Sequence, residues 1–480
     1  MVGPIAAAQN SRAQKTGYRA GSVPVPRHIG RWASFPLLWQ FGINPLAMLQ
    51  RLHRDRGPFV VLTYLQSRQS RPAQLGIVSD AGLYRLMFTD SESWRNVKIV
   101  FDGLKGHASD RLSFGFTRLR GARHAHYRRL LAKPLARPAV AAMNPAMAEH
   151  VHTLLEACPR DTPIDLIELA QQITQGLAIG LLFGDDTQRA RAVTRMIQRQ
   201  FDGFPPLPGW NYLKWLSKAS EQERLLIEWA EQKRGDLDAR DMLSILANSP
   251  DEHGREVSRE LIASIMSFTF GAAYETCRNG LSWILIMLAQ HPDIALRLGE
   301  EIRGAIGTVP PTMDRIDGLP LLDGVVKESL RLFPPVPILA RKSLVATVLG
   351  ATEFPAGTMV LVSCFLINRN PEIYPEPERY CPDRWNGFEP PPEHYAVFGL
   401  GGRTCPGFVF GSQILKISLA SIFSRFNVEI LPNSRIDYAS GVMLAPHPRV
   451  SILLRPIERI PSAANVTGRI HELVQLPQTA

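Results

Sequence analysis

The sequence has 480 residues, of which 45% are hydrophobic, and 54 Lys and Arg residues against 44 Asp and Glu residues give a formal net charge of +10. This composition is ordinary for a globular chain that can bury a sizeable core. A basic balance can attract nucleic acid, anionic lipid or an acidic protein, but no dense Lys/Arg run with interleaved aromatic residues is present, which argues against nucleic acid.

The cysteines and the N-terminal region bear on the location of the protein. Five widely spaced cysteines argue against a disulfide framework or a zinc site, and they favour a reduced, cytoplasmic chain. Residues 1–24 contain Arg and Lys but no Asp or Glu, and they lack a secretory signature. We predict a disordered basic tail there, with an organelle transit peptide as the alternative. The apolar stretch at 32–49 is too interrupted to span a bilayer, so at most a peripheral membrane contact is expected.

In chain order, a strand pair is predicted at 59–65 and 75–78, where β-branched and apolar residues flank a polar turn. From 80 to 306 the apolar residues recur at helical spacing. A proline- and aromatic-rich segment at 201–215 interrupts these helices and is a candidate lid over an apolar pocket. Strand patterns return at 358–366 and 449–454, with an irregular run at 370–392 between them. The last twenty residues, 461–480, are predicted to form a loosely ordered tail.

One predicted helix, Arg259–Gln290, is apolar on nearly all sides and would be about 48 Å long. Such a helix is expected to be buried through the middle of the protein. Its centre nevertheless contains Glu275, Thr276, Arg278 and Asn279, which are costly to bury unless they are paired or functional.

The most specific segment is 398–407, which reads FGLGGRTCPG. Its glycines allow a close approach of the backbone to a large, flat group or a positive φ. Arg403 and the start of a helix just after Cys405 are both expected to lower the pKa of that thiol, which favours the metal-binding thiolate.

This segment resembles the haem-binding signature of the cytochrome P450 family at Phe398, Gly401, Arg403, Cys405 and Gly407. The resemblance implies that Cys405 is the axial ligand of the iron of haem b. It further implies that Phe398 packs near the sulfur and that Arg403 pairs with a haem propionate.

A second resemblance lies upstream. Glu328 and Arg331 share a helical face and precede a proline-rich LFPPVP segment, while 380–385 resembles the aromatic-x-Pro-x-Arg-aromatic segment of the family. The resemblance implies a structural triad of Glu328, Arg331 and Arg384. The alternative is an ordinary surface ion pair, which stabilises little. Asp383 stands where many members have Glu.

The polar centre of the long helix, AAYETC at 272–277, resembles the oxygen-activation motif of the family. The resemblance implies that Glu275 and Thr276 deliver protons to bound dioxygen. Thr276 can also bond the carbonyl of Ala272 and bend the helix. The alternative is a buried Glu275 that is neutralised by Arg278. Ala273 replaces the usual glycine, so its methyl group is expected to tighten the pocket.

Cationic residues are needed for the two haem propionates when these are buried. The segment 121–128 resembles the bacterial form of the family, which assigns His124 and Arg128 to a propionate, and Arg341 matches a further propionate-binding position. By the same resemblance the substrate pocket includes parts of 100–116 and 201–215, together with Ala272, Ala273, Val336, Leu339 and Met443.

The resemblance covers about residues 25–460 and implies a single mainly α (α+β) domain with the cytochrome P450 fold, a helical prism with a small β-rich lobe and a central buried helix. The implied activity is insertion of one oxygen atom from O2 into a small apolar substrate, in a soluble monomer of bacterial type. Electrons are expected from NAD(P)H through a separate ferredoxin or flavodoxin with its reductase. The alternatives are a haem-thiolate isomerase, dehydratase or peroxygenase, and a non-catalytic haem sensor.

Overall fold

The computed structural model describes residues 24–64, 73–97, 103–113, 115–159, 162–184, 187–202, 210–307, 309–447 and 449–477. Three predicted features fall partly or wholly outside these ranges. They are the N-terminal tail at 1–24, most of the lid segment at 201–215, and part of the pocket segment at 100–116.

Helices form most of the described chain. They are α1 (Arg31–Ile43), α2 (Pro45–Arg56), α3 (Ala81–Thr89), α4 (Ala108–Leu112), α5 (Gly121–Leu135), α6 (Arg137–Ala157), α7 (Leu166–Phe183), α8 (Thr187–Asp202), α9 (Trp210–Gln232), α10 (Met242–Asn248), α11 (Arg259–Gln290), α12 (Pro292–Ile306), α13 (Met313–Ile316), α14 (Pro320–Leu332), α15 (Cys364–Ile367) and α16 (Phe408–Phe423).

The strands are short. They are β1 (Arg27–Ile29), β2 (Phe59–Tyr64), β3 (Ala73–Val78), β4 (Trp94–Asn96), β5 (Ile164–Asp165), β6 (Ile338–Ser343), β7 (Thr347–Leu349), β8 (Thr352–Phe354), β9 (Met359–Ser363), β10 (Phe426–Ile430), β11 (Asp437–Ser440), β12 (Leu444–His447) and β13 (Ser451–Pro456). Six of them form a mixed sheet in the order β1-β2-β3-β9-β6-β4. The predicted strand pair at the N-terminal end is confirmed, since β2 pairs antiparallel to β3 with Phe59 opposite Val78.

Helix α11 has the predicted bounds, Arg259–Gln290, and most of its residues are buried. Its N-terminus is capped by Ser258, whose side chain accepts a hydrogen bond from the backbone N–H of Leu261. It packs against α7, α9, α14 and α16, so it forms the centre of the helical region. The predicted central buried helix and the mainly α (α+β) fold class are therefore confirmed.

Two predicted strands are displaced at their ends. The strand predicted to run to residue 366 ends at Ser363, because the Ser363 side chain accepts a hydrogen bond from the N–H of Leu366 and thereby caps the short helix α15. The strand predicted at 449–454 lies instead at Ser451–Pro456, where it pairs with β10 over five residue pairs.

The prediction of a loosely ordered C-terminal tail is wrong for the described residues up to 477. Ile470, Leu473 and Val474 are buried in the main hydrophobic core. The buried guanidinium of Arg369 donates hydrogen bonds to the carbonyls of Leu332 and Leu473, at 2.6 and 3.0 Å. The segment is ordered because its few apolar side chains pack into the main core. The local sequence pattern does not reveal this packing.

Among the described residues one helix, α7, is long and apolar enough to cross a membrane. Most of it is buried, and it packs along α11. This burial is typical of a core helix.

Candidate functional site: a cysteine loop facing the central helix

The loop that presents Cys405 depends on glycine backbone geometry. Gly401 has φ of +66°, and a Cβ at this position would lie 2.5 Å from the carbonyl oxygen of Phe88, so only glycine fits. The loop closes on itself through a hydrogen bond of 2.7 Å from the N–H of Cys405 to the carbonyl of Phe398. Helix α16 then starts at Phe408, whose ring meets the Phe398 ring edge-on.

The Cys405 side chain is exposed at its surface, but protein surrounds the sulfur on its other sides. The resulting loss of solvation is the main influence on the pKa of the thiol. The expectation of a lowered pKa is wrong for the chain by itself, because burial disfavours the thiolate and raises the pKa. The backbone N–H of Gly407 and the charge of Arg128, rather than that of Arg403, act in the opposite direction.

A group of cationic side chains lies beside this loop. Arg128 donates a hydrogen bond of 2.8 Å to the carbonyl of Thr404, and Arg403 donates one of 2.7 Å to the carbonyl of Leu119. Burial, followed by the charges of Arg403 and Arg128, lowers the pKa of His124 from 6.5 to about 4. The sequence-predicted residues His124, Arg128 and Arg403 are therefore close enough that the two guanidinium charges disfavour protonation of the imidazole.

Arg341 reaches the same cluster from strand β6. Its side chain is 3% exposed, and burial followed by the charge of Arg403 lowers its pKa from 12.5 to about 10. One guanidinium nitrogen donates to Asn96 and the group stacks over the ring of Phe88. Its Nε and Nη2 atoms have no hydrogen-bond partner, and neither does Nε2 of His124.

These unpartnered donors fit the carboxylates of a haem. Buried donors without partners are costly, and carboxylates would supply the acceptors and offset the mutual repulsion of the cations. Among the described residues no three His, Cys, Asp or Glu side chains come together as a metal-binding group. A metal ion at Cys405 would therefore need most of its ligands from a prosthetic group, and a porphyrin supplies them.

The polar centre of α11 contains an ion pair. Arg278 Nη2 lies 2.7 Å from Glu275 Oε2, and both side chains are largely buried. The hydroxyl of Thr276 donates a hydrogen bond of 2.8 Å to the carbonyl of Ala272. The contact of Thr276 predicted from the sequence is present, and so is the pairing of Glu275 with Arg278 that was the alternative to a role in proton delivery.

In the middle of α11, between Ile262 and Cys277, one stripe of residues is half-buried while the others are buried. It consists of Phe268, Thr269, Ala272, Ala273 and Thr276. Their spacing of four residues places them on one face. Within this stretch of the helix, this face is the one accessible to a ligand.

The other sequence-predicted pocket residues, Val336, Leu339 and Met443, are half-buried as well. A hydrogen bond of 3.0 Å from the N–H of Leu444 to the carbonyl of Pro335 joins their two segments. The indole of Trp283 on α11 donates to the carbonyl of Leu444 and links both segments to the central helix. The predicted pocket residues on segments far apart in the sequence are thus connected through these bonds.

Glu328 stands at the centre of a buried polar network. Its carboxylate, which is 0% exposed, pairs with Arg331 at 2.8 Å and with Arg384 at 2.9 Å. It also accepts hydrogen bonds of 3.0 Å from the backbone N–H of Cys381 and the indole of Trp385. The three sequence-predicted members lie together in the interior and do not form a surface pair.

The sequence analysis missed Asn96, Phe88 and Trp385. Asn96 and Phe88 hold Arg341, and Trp385 holds Glu328. The aromatic-x-Pro-x-Arg-aromatic pattern already contained Trp385, so its role was within reach. Asn96 lies in a three-residue strand, and nothing in the local pattern distinguishes it.

Comparisons with known proteins agree with this geometry. The sequence profile of the family described as Cytochrome P450 matches residues 95–452. Cyclooctat-9-en-7-ol 5-monooxygenase of Streptomyces melanosporofaciens is 26% identical over 460 residues, which are 90% of this chain and 95% of that protein. Pentalenene oxygenase of Streptomyces avermitilis is 32% identical over 236 residues, about half of either chain. Cytochrome P450 3A25 of Mus musculus is 30% identical over 263 residues, again about half of either chain.

Two solved structures share the fold. A cyanobacterial CYP120A1 with bound retinoic acid superposes with a TM-score of 0.74 at 21% identity, covering 91% of this chain and all of the other. The haem domain of cytochrome P450DA superposes with a TM-score of 0.75 at 19% identity, covering 95% of this chain and all of the other.

Proposed function

Because the chain belongs to the cytochrome P450 family, we propose that this haem-binding monooxygenase oxidises an apolar, largely hydrocarbon substrate such as a terpene by hydroxylation or epoxidation. The family match makes the chain an oxidoreductase with haem b as its cofactor. The proposal rests above all on one observation. The exposed Cys405 thiol lies beside four basic side chains, and two of them, His124 and Arg341, have buried nitrogens without a hydrogen-bond partner. The terpene class is supported by the names of two bacterial relatives and by the mainly apolar stripe on α11.

Each site residue has a proposed role. The sulfur of Cys405 would hold the iron, with Phe398 packed beside it and with Gly407 donating its backbone N–H to the sulfur. Arg341, His124, Arg128 and Arg403 would hold the carboxylates. When bound, the haem supplies the site at which dioxygen is bound and reduced.

The chain itself would control the protons. The Thr276 hydroxyl lies on the half-buried stripe of α11, whereas the neighbouring Glu275 is buried and paired with Arg278. We propose that a proton from solvent passes through Glu275 to Thr276 Oγ1 and from there into the pocket. The pair with Arg278 would hold the Glu275 carboxylate in place between transfers. Ala272, Ala273, Val336, Leu339 and Met443 would exclude water and contact the substrate.

The remaining parts of the proposal concern location and partners. Electrons would come from NAD(P)H through a ferredoxin or flavodoxin with its reductase. Such an acidic protein would find exposed cations next to the Cys405 loop, among them Arg129 and Lys133 on α5 and Arg120 directly before it. We expect a cytoplasmic monomer, consistent with five free cysteines.

The test is reductant-dependent turnover. With a surrogate ferredoxin and its reductase, the protein should consume NAD(P)H and O2 and oxidise members of a terpene panel that shift the haem spectrum. Thr276→Ala should keep the consumption but divert electrons from product to hydrogen peroxide, because the proton supply is interrupted. An isomerase or peroxygenase would show no reductant-dependent oxygen use, and a sensor would show no turnover. Equal coupling in parent and variant would contradict the proposed role of Thr276.

A further inference from the structure

Helix α1 is apolar but only partly covered, since Leu37, Leu38 and Phe41 pack against a hydrophobic cluster while the opposite face lies on the surface. Among its 13 residues, RWASFPLLWQFGI, only Ser34 is buried, and the Ser34 hydroxyl donates to the carbonyl of Ile29 or Gly30. The next helix, α2, buries five residues and thereby anchors this part of the chain. A helix that is apolar on nearly all sides is normally covered by core or by lipid. Helix α1 therefore presents a surface that water alone solvates poorly.

The exposed side chains of α1 form one continuous stripe. Trp32, Phe35, Trp39 and Ile43 are exposed by 82%, 72%, 69% and 69%, respectively. Their spacing of three or four residues puts all of them on one face of the helix. Single exposed apolar residues are ordinary, but four large ones side by side mark an interaction surface.

In the chain segment that contains this stripe, the charged residues up to residue 54 have one sign. Between residues 24 and 54 every Lys, Arg, Asp or Glu is an arginine, namely Arg27, Arg31, Arg51 and Arg54. The guanidinium of Arg31 lies 5.0 Å from the centre of the Trp32 ring. The first acidic residue in the sequence, Asp55, is already close to Arg51 and Arg54. A second copy of this surface would bring the same cations and be repelled, whereas an anionic surface would be attracted.

Two further features distinguish a bilayer from an acidic protein. Tryptophan is the side chain that is enriched where a membrane meets water, and two of the four stripe residues are tryptophans. At about 20 Å the helix is too short to span the hydrocarbon region, and Pro36 interrupts its hydrogen bonding. A short helix with aromatic residues on one face and arginines beside it is suited to lie in the plane of the interface.

We propose that α1 is a membrane-binding surface, which inserts Trp32, Phe35, Trp39 and Ile43 into the headgroup boundary of an anionic bilayer while the neighbouring arginines contact the lipid phosphates. The inference does not depend on the substrate or on any catalytic step. It would have a consequence for both, because an apolar substrate accumulates in the same bilayer.

The experiment uses the full-length haem-loaded protein and vesicles. Vesicles of phosphatidylglycerol and phosphatidylcholine in equal parts should carry the protein to the top of a density gradient, and vesicles of phosphatidylcholine alone should carry clearly less. Trp32→Ser/Trp39→Ser should weaken the binding at least tenfold. Arg27→Gln/Arg31→Gln should remove most of the preference for the anionic lipid, and added salt should do the same in the parent, since exposed charges are screened.

The matched control is Leu237→Ser/Ile460→Ser, which removes two apolar side chains that are each 80% exposed elsewhere on the surface. This variant should bind the vesicles as the parent does. Far-UV circular dichroism and the reduced carbonyl spectrum establish that every variant is folded and loaded.

Three outcomes would overturn the proposal. They are absence of parent binding to the anionic vesicles, unchanged binding of Trp32→Ser/Trp39→Ser, and equal loss in the control. Sedimentation without lipid identifies a competing occupant, because a parent dimer that the tryptophan variant converts to monomer would make α1 a self-association surface instead. Turnover plays no part in the readout, so failure here and failure of the proposed function are separate results.

Discussion

Replacement of Glu328 tests the strongest polar network in the fold. In Glu328→Ala the carboxylate disappears, while Arg331, which is 0% exposed, keeps its charge. Arg331 retains hydrogen bonds to the carbonyls of Pro377 and Asn368, at 2.8 and 3.1 Å, but loses its ion pair with Glu328. We therefore expect an uncompensated charge in the interior.

The magnitude follows from the contacts that are lost. Breaking one side of a buried ion pair costs about 3–5 kcal/mol. The N–H groups of Cys381 and Trp385 also lose their acceptor, at about 1–3 kcal/mol each where they stay dry. The sum approaches the whole free energy of unfolding of an ordinary domain, about 5–15 kcal/mol. Glu328→Ala should consequently yield little soluble haem-loaded protein.

Glu328→Gln keeps the test interpretable, because it removes the negative charge while its amide oxygen can still accept from one of the two donors, the N–H of Cys381 or the indole of Trp385, which bind different carboxylate oxygens. It should fold, with a midpoint of thermal unfolding clearly below that of the parent and a lower ratio of haem to protein. The matched control is Glu228→Ala, which breaks an exposed ion pair with Arg224 on α9 and should change the stability by no more than about 0.5 kcal/mol. A Glu328→Ala protein with full haem content and the midpoint of the parent would refute the reasoning.

Three further predictions concern the haem site. Cys405→Ser should fold and can retain haem but should lack the red-shifted carbonyl band of thiolate ligation, whereas Cys158→Ser and Cys381→Ser should keep it; an unchanged band in Cys405→Ser would exclude that sulfur as the ligand. Arg341→Leu should accelerate transfer of haem to apomyoglobin by about 10- to 100-fold, as expected for loss of a hydrogen bond to a charged group. It should not lower the stability of the haem-free protein, because the buried guanidinium has two nitrogens without partners. Lys342→Leu on the same strand is the control, and equal transfer rates in the two variants would contradict the assignment of Arg341. The pKa of His124 is lowered from 6.5 to about 4 in the folded protein. As the pH falls, the imidazole is therefore protonated first in the unfolded chain, which favours unfolding. Through His124 the haem-free protein should lose up to about 3 kcal/mol of stability between pH 6.5 and 4, and none above pH 6.5. Denaturant unfolding of parent and His124→Gln across this range should show a shallower acid loss in the variant, and parallel curves would mean that His124 is not buried among cations.

Local patterns in the sequence determined the parts of this protein that depend on neighbours along the chain. The bounds of α11 followed from an apolar run at helical spacing, and the Cys405 loop followed from glycines whose backbone geometry no other residue adopts cheaply. The hydrogen bond from Thr276 to Ala272 was predictable for the same reason, since both residues belong to one turn of helix. The triad could be assigned because its three members lie in two short segments with family-specific spacing.

Only the tertiary structure decided the properties that depend on groups far apart in the sequence. The pKa of Cys405 is raised because the protein around the thiol disfavours the thiolate, whereas the sequence predicted a lowered pKa from Arg403 and the start of a helix. Arg341 is held by Asn96 and Phe88 from other elements, and the C-terminal residues Ile470 and Leu473 are buried in a core formed largely by elements far away in the sequence. Burial and repulsion are sums over everything packed around a group, and the spacing of residues along the chain does not contain that sum.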